Sequence, residues 1–288
     1  MVRGKGMSIR MTTIEHLLMV GGGYIGEALL SGFLDSGILK TEQICVVETN
    51  EEKRALLQEK YGVRVLADFK GQELGPRDAC LVAVKPPVVP EVLHNLAPCL
   101  NGALVISIAI GITLDFLQSS LPPETPVVRV MPNLPVVVGS GMAQVSLGAA
   151  TTLEHRRNTL RLFESVGRAT LIDESWQNTG AAIAGSGPAY FALVIGALVR
   201  AAVAQGLPRV QAQEFAAQTA LGAAQMLLTD PELHPEQLID MTSSPGGITI
   251  RAIAELESGK VRAAFYDAVE AAIWRAEELE GDFEEDDN

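Results

Sequence analysis

Hydrophobic and polar positions fall into two regimes along the chain. Up to about residue 172, short apolar runs alternate with amphipathic stretches. The runs His16–Val20, Ile44–Val47, Val63–Val65, Ala79–Val84, Ala103–Ser107 and Pro126–Met131 predict strands. Between them, Glu27–Asp35, Glu51–Lys60, a stretch ending near Leu96 and one opened by Thr113 predict helices. Strands without internal polar residues, separated by helices, belong to a mostly parallel sheet covered on both faces. Met142–Leu147 predicts an extra strand, Leu153–Val166 a helix and Ala169–Ile172 a last strand. From Glu174 no further strand is expected. Ala-rich helices are predicted over Trp176–Gln205, Val210–Thr229, Thr249–Glu257 and Val261–Leu279. Gly185-Ser186-Gly187-Pro188 breaks the first, and Gly206-Leu207-Pro208 ends it.

The first of these strands runs into Gly21-Gly22-Gly23-Tyr24-Ile25-Gly26 and then a helix, with the next strand closed by Glu48. Strand, glycine turn, helix and strand in that order form a dinucleotide-binding signature. Gly21 permits the tight turn, Gly23 lets backbone meet a pyrophosphate, and Gly26 lets helix pack on strand. A glycine-rich βα turn without ligand is the plainer alternative. Glu48 can accept from both ribose hydroxyls and would repel a 2′-phosphate, which favours NADH within NAD(P)H. Asn50, Lys53 and Arg54 soften that repulsion, and an acid leading a helix is the other reading of Glu48. Ligands in such sheets sit off the carboxyl ends of the strands. The expected cofactor set is therefore Gly21, Gly23, Tyr24, Ile25 and Gly26, then Glu48, Thr49 and Asn50, then Val84, Lys85, Pro86 and Ala109. Lys85 is placed for phosphate, ribose or a substrate carboxylate. Asn133, between two prolines, is read as shaping a loop.

The fold class is thus an α/β Rossmann fold (doubly wound, mostly parallel sheet) followed by an all-α dimerisation domain. Residues 1–173 form the dinucleotide-binding domain, with 1–12 a ragged extension; 174–281 form the helical domain, and 282–288 an acidic tail. The helices are apolar on more than one face and need partners, so a homodimer through the helical domain is expected. Within it, Met241–Ile250 is a polar turn broken by Pro245, Gly246 and Gly247 that opens into a helix. Free N–H groups at such a start favour an anion such as a carboxylate, and Thr249 puts a hydroxyl beside it. An ordinary threonine cap is the competing reading.

Composition narrows the function. Of 288 residues, 48% are hydrophobic, enough for a large core. The net charge is −13, or about −8 once five tail acids are set aside, which argues against nucleic acid. Cys45, Cys80 and Cys99 are widely spaced and read as thiols rather than disulfides. No Cys or His pair has ligand spacing, so no metal is expected. No uninterrupted 18-residue apolar run exists, so no membrane span is expected. The start lacks the apolar core of a secretory signal, and a cytoplasmic location follows.

Taken together, the motifs resemble the pyrroline-5-carboxylate reductase family. They are Gly21–Gly26 with Ala28, Ala83–Pro86, Val105–Ala109 with Gly111, Val130–Asn133, Gly185–Tyr190, Gly206–Pro208, and Ser244–Gly247 with Thr249-Ile250. They fall in family order over nearly the whole chain. The resemblance implies reduction of 1-pyrroline-5-carboxylate to L-proline by NAD(P)H, the last step of proline biosynthesis. It also implies a dimer interlocked through the helical domain, often assembled further into a pentamer of dimers. The imine then lies between the Rossmann domain of one subunit and the turn of its partner. The substrate set implied is Ser243, Ser244, Gly246, Gly247, Ile248 and Thr249. Ser244 and the N–H groups of Gly247, Ile248 and Thr249 grip the carboxylate, and the catalytic Thr249 hydroxyl bonds the ring nitrogen. Hydride adds to a C=N carbon most easily when its nitrogen is protonated or hydrogen-bonded, so catalysis is mostly positioning.

This chain departs from the family pattern at Ile248, where Ala or Thr is usual, at Leu134, Ala184 and Tyr24-Ile25, and at Glu48, a position often small and polar. A β-hydroxyacid-type reductase is disfavoured, because it needs a helix-borne lysine and the helical region has only Lys260, in a loop. A cofactor-binding paralog without turnover, acting as a regulator, is the alternative from another class.

Overall fold

The computed structural model describes residues 13–284. The expected extension 1–12 and the tail end 285–288 lie outside the described residues. Eight strands form one sheet: β1 (Leu17–Val20), β2 (Ile44–Val47), β3 (Arg64–Leu66), β4 (Ala79–Val82), β5 (Leu104–Ser107), β6 (Val127–Met131), β7 (Gly141–Leu147) and β8 (Gly167–Leu171). Their order is β3-β2-β1-β4-β5-β6-β7-β8. All pairs through β6 are parallel. β7 runs antiparallel to β6, and β8 parallel to β7. The reversal has a local cause: β6 and β7 are joined by a short 3-10 segment, Leu134–Val138. A parallel return needs a longer crossover, usually a helix.

Period-two alternation divides the core. Leu17 and Met19 of β1 face one side with helix α1 (Tyr24–Ser36), α2 (Glu51–Tyr61) and α5 (Leu153–Glu164). Leu18 and Val20 face the other, with α3 (Val89–Leu96) and α4 (Leu114–Ser119). Leu29, Leu30 and Phe33 of α1 are almost wholly buried. Each contributes about 1.5–3 kcal/mol, as an upper bound, by leaving water. The strand order reverses at the β1/β4 neighbours, which opens a crevice at their carboxyl ends.

Contacts divide the chain into two units: residues up to Gly185 together with those from Ile273, and Ser186–Ala272. This differs from the single boundary expected near residue 173, and polar groups give the reason. In the sheet unit, the guanidinium of Arg129 (β6, 5% exposed) pairs with Glu174 at 2.9 Å and Glu280 at 2.7 Å. In α6 (Gln177–Gly180), Gln177 donates to Ser146 Oγ at 2.9 Å and Asn178 to Glu280 at 2.7 Å. Asn133 bonds Ala184 O through Nδ2 and the Met142 N–H through Oδ1, which gives it the loop-shaping place expected. The first helical residues and the last are thereby tied to strands.

The helical unit contains α7 (Gly187–Ala204), α8 (Arg209–Thr229), α9 (Pro235–Thr242), α10 (Ile248–Ser258) and the start of α11 (Val261–Glu284). Helix α9 is not foreseen by periodicity. Pro235 at its first position and a His234–Gln237 capping box start it in a stretch that reads as a loop. The unit's buried cluster is small: Val199, Ala212 and Ala216, with Ile195, Ala202 and Leu207 against them. Phe191, Leu193, Leu198, Phe215, Leu221 and Tyr266 are exposed.

The helical stretch Glu174–Ala204 contains an 18-residue window of mean hydropathy 1.8 and is long and apolar enough to cross a membrane by length and composition alone. Counting uninterrupted apolar residues overlooks it, because Gly185-Ser186-Gly187-Pro188 breaks the run without lowering the mean of the window enough. Its first part is spoken for by the sheet-unit hydrogen bonds above.

Candidate functional site

The glycine turn after β1 is built by close contacts. Gly21 has φ +99°, and a Cβ there would sit 2.7 Å from Ala83 O. A Cβ on Gly26 would strike the Gly21 carbonyl. Gly23, by contrast, has open space above it and is the N-cap of α1, with no side chain capping the helix. The first-turn N–H groups are left without a side-chain cap, an arrangement suited to a phosphate. Gly22 was not singled out by the motif, yet a Cβ on it would meet Leu57 Cδ1 at 2.6 Å. The run of three consecutive glycines was the signal.

Glu48 leaves β2 with its carboxylate bound to the backbone on both sides. Oε2 accepts from the Gly22 N–H at 3.0 Å and Oε1 from the Asn50 N–H at 2.9 Å. Arg54 donates to the carbonyls of Glu48 and Thr49, so its charge is turned onto the loop. Asn50 caps α2 through the Lys53 N–H. The crevice at these strand ends encloses about 900 Å³ and is lined by Gly21, Gly23, Glu48, Thr49, Val84 and Lys85 of the expected set. Lys53, Phe69, Lys70 and Cys99 also line it. The segment after β3 was missed because that strand is weak in sequence.

The other expected cofactor residues do not line this crevice. Tyr24 is 70% exposed and lines a separate cleft of about 520 Å³ with Val136–Val138. Ile25 and Gly26 pack inward, Asn50 serves α2, and Pro86 starts a 3-10 turn. Ala109 is buried, its N–H donating to Ser107 Oγ. Burial pushes the Cys99 and Cys80 thiols above their ordinary range. Among the described residues no group of three or more His, Cys, Asp or Glu could hold a metal ion.

The second candidate turn lies in the helical unit. Gly247 N–H donates to Ser244 O at 2.9 Å, with Pro245 and Gly246 (φ +68°) between them. Proline followed by a positive-φ glycine is the type II pattern. The Gly247 N–H, expected to face an anion, closes the turn in this structure. α10 begins at Ile248 with Gly247 as N-cap and no side-chain cap. Thr249 is the second helical residue, so it is not the cap. Its hydroxyl has no hydrogen-bond partner among the described residues. Ser243 Oγ is buried without a partner, and Ile248 is 92% exposed. Helices α2, α4, α5 and α9 are capped by Asn50, Thr113, Thr152 and His234. α10 instead offers bare N–H groups beside a free hydroxyl.

A family model described as pyrroline-5-carboxylate reductase dimerisation matches residues 174–279, and one described as NADP oxidoreductase, coenzyme F420-dependent, matches 17–111. A pyrroline-5-carboxylate reductase of Synechocystis is 38% identical over 264 residues, covering 92% of this chain and 98% of its own. The structure of a Coxiella burnetii pyrroline-5-carboxylate reductase matches with TM-score 0.85 at 33% identity, over 92% of this chain and 98% of that one. A Plasmodium falciparum pyrroline carboxylate reductase, solved with NADP bound, matches with TM-score 0.83 at 28% identity, over 93% and 99%.

Proposed function

The chain belongs to the pyrroline-5-carboxylate reductase family, and on that premise we propose how its residues carry the reaction. It reduces 1-pyrroline-5-carboxylate to L-proline at the expense of NAD(P)H, in proline biosynthesis. The observation that carries the reading is the bare start of α10 behind Ser243–Gly247, on a chain whose glycine turn fits a dinucleotide. The dinucleotide, when bound, supplies the hydride.

The residues act as follows. The first turn of α1 binds the pyrophosphate, with Gly23 leaving it room. Glu48 accepts from the adenosine ribose through lone pairs that the Gly22 and Asn50 N–H groups leave over. Its charge opposes a 2′-phosphate, so we favour NADH over NADPH. Lys53 and Lys70 on the same crevice reduce that preference. The N–H groups of Ile248 and Thr249 hold the imine carboxylate, with the Ser243 and Ser244 hydroxyls beside it. Thr249 Oγ1 donates to or orders a proton at the ring nitrogen, which makes the C=N carbon more electrophilic. Ile248 narrows the space around the ring.

Residues 174–279 form the dimerisation region, and the exposed apolar side chains of α7 and α8 fit a second copy better than lipid. We extend this to a pentamer of dimers in the cytoplasm, where three free thiols are at home. Sedimentation of the purified protein tests the assembly. The activity is tested by following NADH and NADPH oxidation with pyrroline-5-carboxylate and identifying the product. Proline formation with kcat/KM higher for NADH supports the reading; cofactor binding without proline overturns it.

A further inference from the structure

The turn that grips the substrate sits at the tip of a helical hairpin that is closed at its base by one arginine. Helices α9 and α10, of 8 and 11 residues, extend about 12 and 16 Å at 1.5 Å per residue. Their far ends meet at Arg262, in the first turn of α11. Its Nη1 donates to Glu236 Oε1 at 2.6 Å and its Nη2 to Glu236 Oε2 at 3.2 Å, a two-pronged grip on the start of α9. Its Nε donates to Glu257 Oε1 at 2.6 Å, at the end of α10. The α10–α11 junction is tight: Gly259 caps α10 and Lys260 takes a left-handed φ of +57°. That turn brings Arg262 back beside Glu257.

Among the described residues, the burial that would fix the hairpin is small. Neither α9 nor α10 has a buried residue, and the unit's apolar cluster lies on α7 and α8. Isolated exposed ion pairs are worth little. Here one planar guanidinium uses three donors on two carboxylates, which sets an angle as well as a distance. We propose that Arg262 is a positioning residue for the substrate turn: by pinning both legs of the hairpin at its base, it holds the Ile248 and Thr249 N–H groups convergent on the substrate carboxylate. The inference rests on the assignment of that turn to the imine carboxylate.

The test starts with wild-type turnover, which decides that assignment by itself. With it in hand, Arg262→Met should raise KM for the imine about tenfold, with kcat changed less than threefold and KM for the cofactor unchanged. Arg262→Lys, a single ammonium that cannot hold both carboxylates, should fall between. Glu257→Gln, which removes one arm only, should raise KM severalfold and guards against a misfolded methionine variant. Unchanged KM in both variants overturns the proposal. So does loss of the dimer, or a matching rise in both Michaelis constants, since either makes Arg262 a structural residue alone.

Discussion

The turns Gly21–Gly23 and Ser244–Gly247 invite comparison, because each ends in glycine and each feeds a helix that no side chain caps. They differ in what holds them. The first is walled by its own fold: Ala83 O, Leu57 and the Gly21 carbonyl leave no room for a Cβ on Gly21, Gly22 or Gly26. The second has open space around Gly246, and its flanking helices bury nothing. They also differ in charge. α1 carries Glu27 in its first turn, whereas α10 has no acid there. The carboxylate of Glu27 is engaged by Lys60 at 2.8 Å and Tyr61 at 2.9 Å. The dipole of α1 is partly answered from within, and that of α10 is left for an incoming anion. A glycine can thus be required by crowding or by backbone angle, and the two demands fail differently.

The largest expected effect tests that difference. Gly26→Val should lower unfolding stability by about 3 kcal/mol or more and abolish cofactor binding, by overpacking against backbone. Gly246→Ala meets only the positive φ and should cost about 1 kcal/mol while weakening imine binding. Equal losses in denaturant melts would erase the contrast. Next, Thr249→Ala should lower kcat about 100-fold with the NADH dissociation constant within about twofold, measured by fluorescence titration. Equal loss of both would contradict its role. Third, Glu48→Ser should move the NADPH/NADH ratio of kcat/KM towards NADPH by about tenfold. It should also weaken both cofactors, because the Gly22 and Asn50 N–H groups lose their acceptor. An unchanged ratio would show that Glu48 serves the loop and not the ribose.

The smallest effect concerns Glu27. The Lys60 ammonium holds its carboxyl below the usual value of 4.5. A lowered folded-state value stabilises above the unfolded pKa and is lost as pH falls through the folded one. The pair is largely exposed, so Glu27→Gln should cost below about 0.5 kcal/mol at pH 7. That difference should shrink as pH falls below 4.5 and vanish once Glu27 is protonated in the folded state, measured in denaturant melts at pH 7 and under progressively more acidic conditions.

Most of the sheet was legible because its strands are buried on both faces and so read as unbroken apolar runs, β4 and β5 above all. The glycine signature was legible because its spacing follows from backbone geometry. Helix α9 was hidden, since a His cap and a first-turn proline look like a loop without periodicity to help. The fate of the Gly247 N–H was hidden too: the motif names the residues of the turn and not which carbonyl each amide has already found. Gly22 and the segment Ala67–Lys70 depend on packing and on strand order, which no local pattern records.

Arg129 has one more implication. The helical unit leaves the sheet unit after Gly185 and rejoins it at Ile273, and the same guanidinium holds Glu174 upstream and Glu280 downstream. The helices are therefore inserted as a cassette, not appended as a tail. A protease nick at either crossing would leave the other crossing covalently joined, and transplanting the cassette into a related scaffold would demand two splices with a matching arginine beneath them.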